Sequence, residues 1–251
     1  MASKQTPRRG IRRVLALIAA RSGSKGLRHK NLRRIAGTPL LVHAIHLALA
    51  SARRGEVWSV VVSTDSAHYA RIARRAGAQV PSLRPAALAA DGSRLIDAVL
   101  HTLEEIEDAA HPFDAVVLLS ATTPLTRPQD VRAALRLFAT APHPSVASVT
   151  RDPIAPSWRF MQRGAIVDRT PRRHHVGRRQ EADGKRGGDP VYLNGALYVA
   201  SPAWLRRHRQ FVRAGQTAGL NMPAERSVDI ETHQDLAWAA WLMGGDPPTL
   251  L

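Results

Sequence analysis

Two short stretches carry the residue types that could do chemistry: a basic, glycine-containing run near the start and a pair of acids near the end. The basic run is Ala20-Arg21-Ser22-Gly23-Ser24-Lys25-Gly26-Leu27-Arg28-His29-Lys30-Asn31. Gly23 and Gly26 lack a Cβ, which lets the backbone approach a phosphate closely, and successive amides can form an anion-binding nest. Arg21, Lys25 and Lys30 add cationic side chains, so the loop suits a triphosphate. Its spacing matches neither G-x-x-x-x-G-K-[ST] nor G-x-G-x-x-G. The residues therefore point to a nucleotide and no further, and a solvated basic loop joining strand to helix has the same composition. The acidic run is Ser227-Val228-Asp229-Ile230-Glu231-Thr232. In an extended segment alternation puts Asp229 and Glu231 on one side, with Val228 and Ile230 towards the core. Two carboxylates side by side suit a hard cation such as magnesium, which prefers oxygen ligands and keeps waters and phosphates in its shell. The alternative is a pair of exposed acids with Thr232 capping a helix.

Other chemistry finds little support. His174 and His175 are adjacent, so in a strand they point apart, and no third metal ligand accompanies them. No Ser/His/Asp arrangement stands out. The chain has no cysteine, which excludes disulfides and thiolate metal sites and fits a reducing cytoplasm.

The elements that must position these residues alternate along the chain. Val14–Ala19 reads as a buried strand leading into the basic loop, and Pro39–Ala52 as a helix, with Leu41, Ala44, Ile45, Ala48 and Leu49 at helical spacing. Val57–Ser63 is a strand, after which Asp65 or Ser66 caps a helix over Ala67–Ala76. Val80 falls in a short strand, and Ser93–Glu107 is a helix. Asp114–Leu119 is a strand, Pro128–Phe138 a helix and Ser145–Thr150 a strand. This alternation argues for a doubly wound, mostly parallel sheet in three layers, with ligands at the carboxyl ends of the strands. After Thr150 the periodicity breaks, with Ile166 and Val167 as a short strand of an excursion and Glu181–Asp189 as a mobile loop. Gly195–Ala200 is then a strand preceded by an Asn-Gly turn signal. Pro202–Arg209 is a short helix, Leu220–Met222 a strand, and Thr232–Met243 the last helix.

At 251 residues, one α/β domain accounts for the length. Residues 1–13 read as a disordered basic tail and 14–251 as the domain. No apolar run is long enough to span a membrane, and the short apolar segment Val14–Ala20 is a better first strand than a signal peptide. The formal net charge is +16 and aromatics are 5%. Such charge can serve nucleic-acid binding, but no familiar nucleic-acid module appears. Arginine-rich solvated faces, together with a site for a triphosphate, account for the charge, and nucleic acid is the minority reading.

The basic run resembles the signature A-R-x-G-S-K-G-[IL]-x-x-K-N of the acylneuraminate cytidylyltransferases, the CMP-sialic acid synthetase family, whose loop wraps the phosphates of CTP. The acidic run resembles that family's S-V-D-I-D-T, with Glu231 in place of the second magnesium-binding aspartate. Leu83-Arg84-Pro85-Ala86-Ala87-Leu88-Ala89-Ala90-Asp91 resembles L-R-P-A-x-L-A-x-D, whose arginine lies by the nucleotide. Arg178-Arg179-Gln180 resembles R-R-Q, and Asn194-Gly195-Ala196-Leu197-Tyr198 resembles N-G-A-[IL]-Y; both contact the sugar acid. The family's L-Q-P-T-S-P-L-R appears as Leu119-Ser120-Ala121-Thr122-Thr123-Pro124-Leu125-Thr126, so Ser120 replaces a glutamine that would face the sugar and Thr126 an arginine. The threonine- and serine-rich turn after the L-A-x-D aspartate is Gly92-Ser93-Arg94-Leu95.

The resemblance implies a Rossmann-like nucleotidyltransferase with an arm at about 151–194 that carries dimer contacts. It implies coupling of CTP to a sialic-acid-like 2-keto sugar acid with release of pyrophosphate, or activation of a related acid of the pseudaminic, legionaminic or deoxy-octulosonic type. Arg21, Lys25 and Lys30 would stabilise triphosphate charge, while Ala20, Gly23, Ser24, Asn31 and Arg84 would hold the nucleotide. Ser120, Thr122, Arg179, Gln180 and Asn194 would face the sugar. Asp229 and Glu231 would bind magnesium, with manganese as the alternative. A cytoplasmic homodimer without membrane or nucleic-acid partners is the corresponding expectation.

Overall fold

The structure, a computed structural model, describes residues 10–24, 26–151, 160–163, 166–169 and 190–245. Strand β1 (Arg13–Ala19) leads through the basic loop to a small antiparallel hairpin, β2 (Arg34–Ile35) and β3 (Thr38–Pro39). Helix α1 (Leu40–Ser51), β4 (Val57–Ser63), α2 (Ala67–Arg75), α3 (Ala86–Ala89) and α4 (Leu95–Ile106) follow. Then come β5 (Ala115–Leu119), α5 (Pro128–Thr140) and β6 (Ser145–Arg151), and a second hairpin of β7 (Phe160–Arg163) and β8 (Ile166–Arg169). The chain closes with β9 (Val191–Ala200), α6 (Pro202–His208), β10 (Thr217–Asn221) and α7 (His233–Leu242).

The main sheet is six-stranded in the order β10-β6-β9-β5-β1-β4. β4, β1 and β5 are parallel to one another, as are β6 and β10, while β9 runs antiparallel between β5 and β6. The alternating faces of β1 explain the three layers. Val14, Ala16 and Ile18 pack with Leu41 and Ile45 of α1, Ala70 of α2 and Phe138 of α5. Leu15 and Leu17 pack with Val99 and Leu103 of α4 and Leu205 of α6. A strand covered on both faces must be apolar at every position, which is why β1 and β5 read as continuous hydrophobic runs. Among the described residues no helix is long and apolar enough to cross a membrane.

Three expectations are corrected. Asn194-Gly195 is not a turn before a strand, because β9 begins at Val191 and carries both residues within it. There the ladder with β6 shifts register between Ala147 and Val149, and Gly195 takes φ +74°. Ser148 Oγ fills the irregularity, accepting from Leu197 N and donating to Leu197 O at 3.0 Å each. The bulge lets a polar side chain turn inward without leaving backbone groups unpaired. Second, the strand expected at Leu220–Met222 lies at Thr217–Asn221. Third, the strand expected at Val80 is one isolated parallel bridge from Gln79 to Val61. The expected tail also gives way to structure early. Arg12 N and Arg13 N both donate to Asp114 Oδ2 at 2.8 Å, fastening the start of β1. The expected loop at Glu181–Asp189, and most of the arm, lie outside the described residues.

Candidate active site

The basic loop leaves the carboxyl end of β1, and a third, smaller core decides what it faces. Leu27, in the middle of the loop and 1% exposed, packs with Ile35, Leu40, Ile230 and Ala239. Burying a leucine stabilises by about 1.5–3 kcal/mol, so this one side chain draws the loop onto the segment that carries Asp229 and Glu231. The approach is close. A Cβ on Gly26 would lie 2.8 Å from the Glu231 carbonyl oxygen, nearer than any real Cβ sits. Gly26 is therefore demanded by the contact with the acidic segment, whatever a phosphate also needs of it.

The loop is fastened at both ends. Asn31, buried, donates from Nδ2 to Arg21 O at 3.0 Å. Ser22 donates its amide to Asp65 Oδ1 (2.8 Å) and its hydroxyl to Asp65 Oδ2 (2.7 Å). Partial burial pushes the Asp65 carboxyl up. The Ser22 hydrogen bonds, its own amide and Arg84 pull it further the other way, so it titrates below the usual carboxylate value. The helix cap expected of Asp65 or Ser66 belongs to Ser66, which accepts from Tyr69 N. Asp65 is a loop anchor, a role its place two residues beyond the strand could have suggested.

Loop and acidic segment enclose a cleft of about 280 Å³, lined by Arg21, Ser24, Lys30 and Asn31 on one side and by Ser120, Thr122 and Glu231 on the other. Lys30 Nζ donates to Glu231 Oε1 at 2.6 Å, and Arg21 Nη1 to Asp91 Oδ1 at 2.8 Å. Arg84 is buried, 7% exposed, with its guanidinium on Ser63 Oγ and Ser63 O. It props the end of β4 beneath the cleft and lies close enough to Arg21 to feel its charge.

On the strand side the hydroxyls line up. Thr122 Oγ1 donates to Asp229 Oδ1, so in its contact with Ser120 Oγ at 2.9 Å the serine is the donor. Ser120 Oγ also accepts from Thr122 N at 3.2 Å. Asn194, 3% exposed, donates to Ser227 Oγ at 2.8 Å and accepts from Ala196 N at 3.2 Å, and so ties the bulge of β9 to the segment before Asp229. A Cβ on Gly195 would sit 3.2 Å from Asp229 Oδ2. Thr126, where the expected arginine is missing, turns its hydroxyl inward to Thr123 O at 2.9 Å.

Asp229 is an exposed residue whose carboxylate is held at one oxygen by Thr122, which lines the cleft. Desolvation pushes its carboxyl above the usual value; the Thr122 hydrogen bond and Lys30 oppose this, and Glu231 and Asp235 add to it. Asp235 Oδ2 accepts from Glu231 N (3.0 Å), Thr232 N (2.8 Å) and Thr232 Oγ1 (2.8 Å), forming the capping box that starts α7 and fixes the acidic segment's direction. Among the described residues no group of three or more His, Cys, Asp or Glu side chains forms a cage for a metal. Two exposed acids on one short segment, with Glu231 lining the cleft, instead suit a hard cation that shares its shell with phosphate oxygens. Of the expected site residues, Ala20 is buried beneath the loop and Gly23 is exposed within it. Lys25, Arg179 and Gln180 lie outside the described residues. Asp65, Asp91 and Asp235 were not expected at the site.

Comparison with known proteins bears on the family and the fold. A family model described as cytidylyltransferase matches residues 15–155. The chain is 35% identical to CMP-N,N'-diacetyllegionaminic acid synthase of Legionella pneumophila, over 92% of this chain and 96% of that protein. It is 31% identical to N-acylneuraminate cytidylyltransferase B of Danio rerio, over 93% of this chain but 51% of that protein, and so spans about half of that relative. Among solved structures, a CMP:2-keto-3-deoxy-manno-octonic acid synthetase complexed with CTP superposes with a TM-score of 0.65 at 18% identity, covering 92% of this chain and 98% of that one. At that identity the likeness speaks for the fold alone. With the loop, the acidic segment and the strand order all in place, the family match over most of the sheet leads to one conclusion: the chain belongs to the cytidylyltransferase family.

Proposed function

We propose that this protein couples CTP to a sialic-acid-like 2-keto sugar acid, giving the CMP-sugar and pyrophosphate. The observation that carries the reading is the contact between loop and acidic segment. Gly26 against the Glu231 backbone and Lys30 on the Glu231 carboxylate bring phosphate-binding and metal-binding residue types to one cleft. In the reaction the sugar's anomeric oxygen forms a bond to the α-phosphorus, the bond from that phosphorus to the bridging oxygen breaks, and the hydroxyl proton is lost. Arg21 and Lys30, with Lys25 from the same loop, stabilise the charge that gathers on the leaving pyrophosphate, since such transfers depend on positioning and electrostatics. Arg21 is paired with Asp91 at the surface, a contact of little net strength, and the exposed carboxylate of Glu231 can swing from the more enclosed Lys30 when a triphosphate takes its place. Asn31 holds the loop closed around the nucleotide, and Arg84 supports it from below. Asp229 and Glu231 would hold a magnesium or manganese ion, whose charge offsets that of the phosphates. The longer Glu231 reaches Lys30 and so couples the two sides of the cleft.

Ser120 and Thr122 form the sugar side of the cleft, and Arg179 and Gln180 belong to it by motif; Asn194, expected there too, is buried and instead braces the strand behind it. A second reading concerns the sugar. Ser120 is short and its hydroxyl is engaged with Thr122, which leaves room for a substituent other than that of N-acetylneuraminate. The Legionella relative's name makes a diacetylated legionaminic-type acid the first choice. The exposed apolar run Val191, Tyr192 and Leu193 at the root of the arm suits burial against a second copy, and a cytoplasmic homodimer is the state we assign.

The test is pyrophosphate release with CTP and magnesium, comparing N-acetylneuraminate with a diacetylated legionaminic acid. Turnover of either supports the reaction, and their ratio chooses the sugar. Silence with both, from folded protein that binds CTP, overturns the sugar-acid reading.

A further inference from the structure

The loop carries one contact that the signature residues do not account for. His29, which precedes Lys30, sits in the left-handed region at φ 51°, ψ 38°. There its carbonyl accepts from Leu32 N at 2.8 Å, starting the short turn that presents Lys30 and Asn31 to the cleft. Histidine enters this region more readily than most residues, but glycine does so at less cost. What accompanies the histidine is a tyrosine. The ring nitrogen Nδ1 of His29 lies 3.3 Å from the hydroxyl of Tyr69, the largest fully buried side chain of α2. A buried hydroxyl left without a partner is unfavourable, and His29, itself exposed, supplies one from the loop.

Tyr69 sits one turn beyond Asp65, the residue that holds Ser22. The start of α2 therefore grips the loop twice, at Ser22 through Asp65 and at His29 through Tyr69. The glycines lie between the grips, and the cation that reaches Glu231 follows the second one.

We infer that the Tyr69–His29 pair is a positioning device for Lys30, setting the affinity for the nucleotide's phosphates without touching substrate. The inference rests on the reading of the cleft as a CTP site, and the test separates the two. The first measurement needs no nucleotide. In Tyr69→Phe the amides of residues 26–32 should exchange with solvent faster than in the unaltered protein, while those of β1 and β4 stay protected. The second is the equilibrium affinity for CTP with magnesium, which should weaken by about three- to tenfold, the scale of one neutral hydrogen bond. The KM for the sugar acid should remain within about twofold, while kcat falls along with CTP affinity, because Lys30 also acts on the charge that develops on the leaving pyrophosphate. His29→Gly keeps the left-handed turn and removes the tie, and adding Tyr69→Phe to it should weaken CTP no further, because coupled residues are non-additive.

Faster loop exchange in a protein that binds no CTP would leave the tie standing and remove the nucleotide reading. Unchanged exchange and unchanged CTP affinity in Tyr69→Phe would overturn the tie. So would two single effects that multiply in the double variant, or a loss shared equally by CTP and sugar, which marks general destabilisation.

Discussion

The two walls of the cleft are built in opposite ways. On the loop wall, Arg21 and Lys30 end in ion pairs with Asp91 and Glu231, whose carboxylates are more than half exposed, 53% and 64%, although Lys30 itself is 14% exposed. On the strand side, buried Asn194 donates one neutral hydrogen bond to Ser227 behind the wall, and Thr122, on the wall, donates one to Asp229. Exposed ion pairs are weak and exchangeable, whereas a buried polar group stripped of its partner is costly. The loop wall is thus arranged to give up its contacts to a charged ligand, and the strand wall to keep a fixed shape against which the ligand is held.

The largest expected effect strikes where the walls meet. Asp229→Ala should lower kcat/KM by about 10³-fold, the scale of losing a group that acts on developing charge, as read by pyrophosphate release. Asp229→Asn should be as inactive yet more heat-stable at pH 7. An acid whose folded pKa is raised binds its proton more tightly when folded, so wild-type stability falls as pH rises from 3.8 through the raised value and stays low above it. The neutral amide escapes that loss, and the advantage in melting temperature should close as the pH is lowered towards 4. An advantage that persists in acid would mean that ionisation of Asp229 is not its source.

Gly26→Ala tests the contact between the walls. With the Glu231 carbonyl 2.8 Å from the new methyl, the loop must lift, at a cost in stability of about 1–3 kcal/mol and with weaker CTP binding. Gly23→Ala, which meets nothing within 4 Å, is the control and should change stability little.

Two variants then set one wall against the other. Asn194→Ala leaves the Ala196 amide without its acceptor and Ser227 without its donor, and should destabilise by about 1–3 kcal/mol in denaturant unfolding. Asp91→Asn removes an exposed ion pair and should change stability by less than about 1 kcal/mol, while freeing Arg21 and tightening CTP slightly. If Asp91→Asn proved the more damaging of the two, the contrast between the walls would be wrong.

Much of this arrangement is legible along the chain. The apolar runs of β1 and β5 announce strands buried on both faces, and the helical spacing of Leu41, Ala44, Ile45 and Ala48 announces α1. The alternation of Val228, Asp229, Ile230 and Glu231 carries over into the structure, where Ile230 is buried and both acids are exposed. Asn194-Gly195 misleads because a left-handed glycine serves a turn and a bulge equally well, and only the partner strand decides between them. Asp65 misleads in a related way: an acid before a helix is a fitting cap, but Ser22 lies nearer in space than its sequence position suggests.

The sequence by itself determined the alternating strands and helices, the basic loop at the end of the first strand and the acidic pair before the last helix. These follow from local periodicity, turn chemistry and residue type, which act between near neighbours. Only the tertiary structure decided that Leu27 and Ile230 share one small core, that Gly26 lies against Glu231, and that Asp65 just before α2 and Tyr69 within it grip the loop. Those contacts join residues far apart in the chain, and packing selects them only when the whole sheet and its helices have closed.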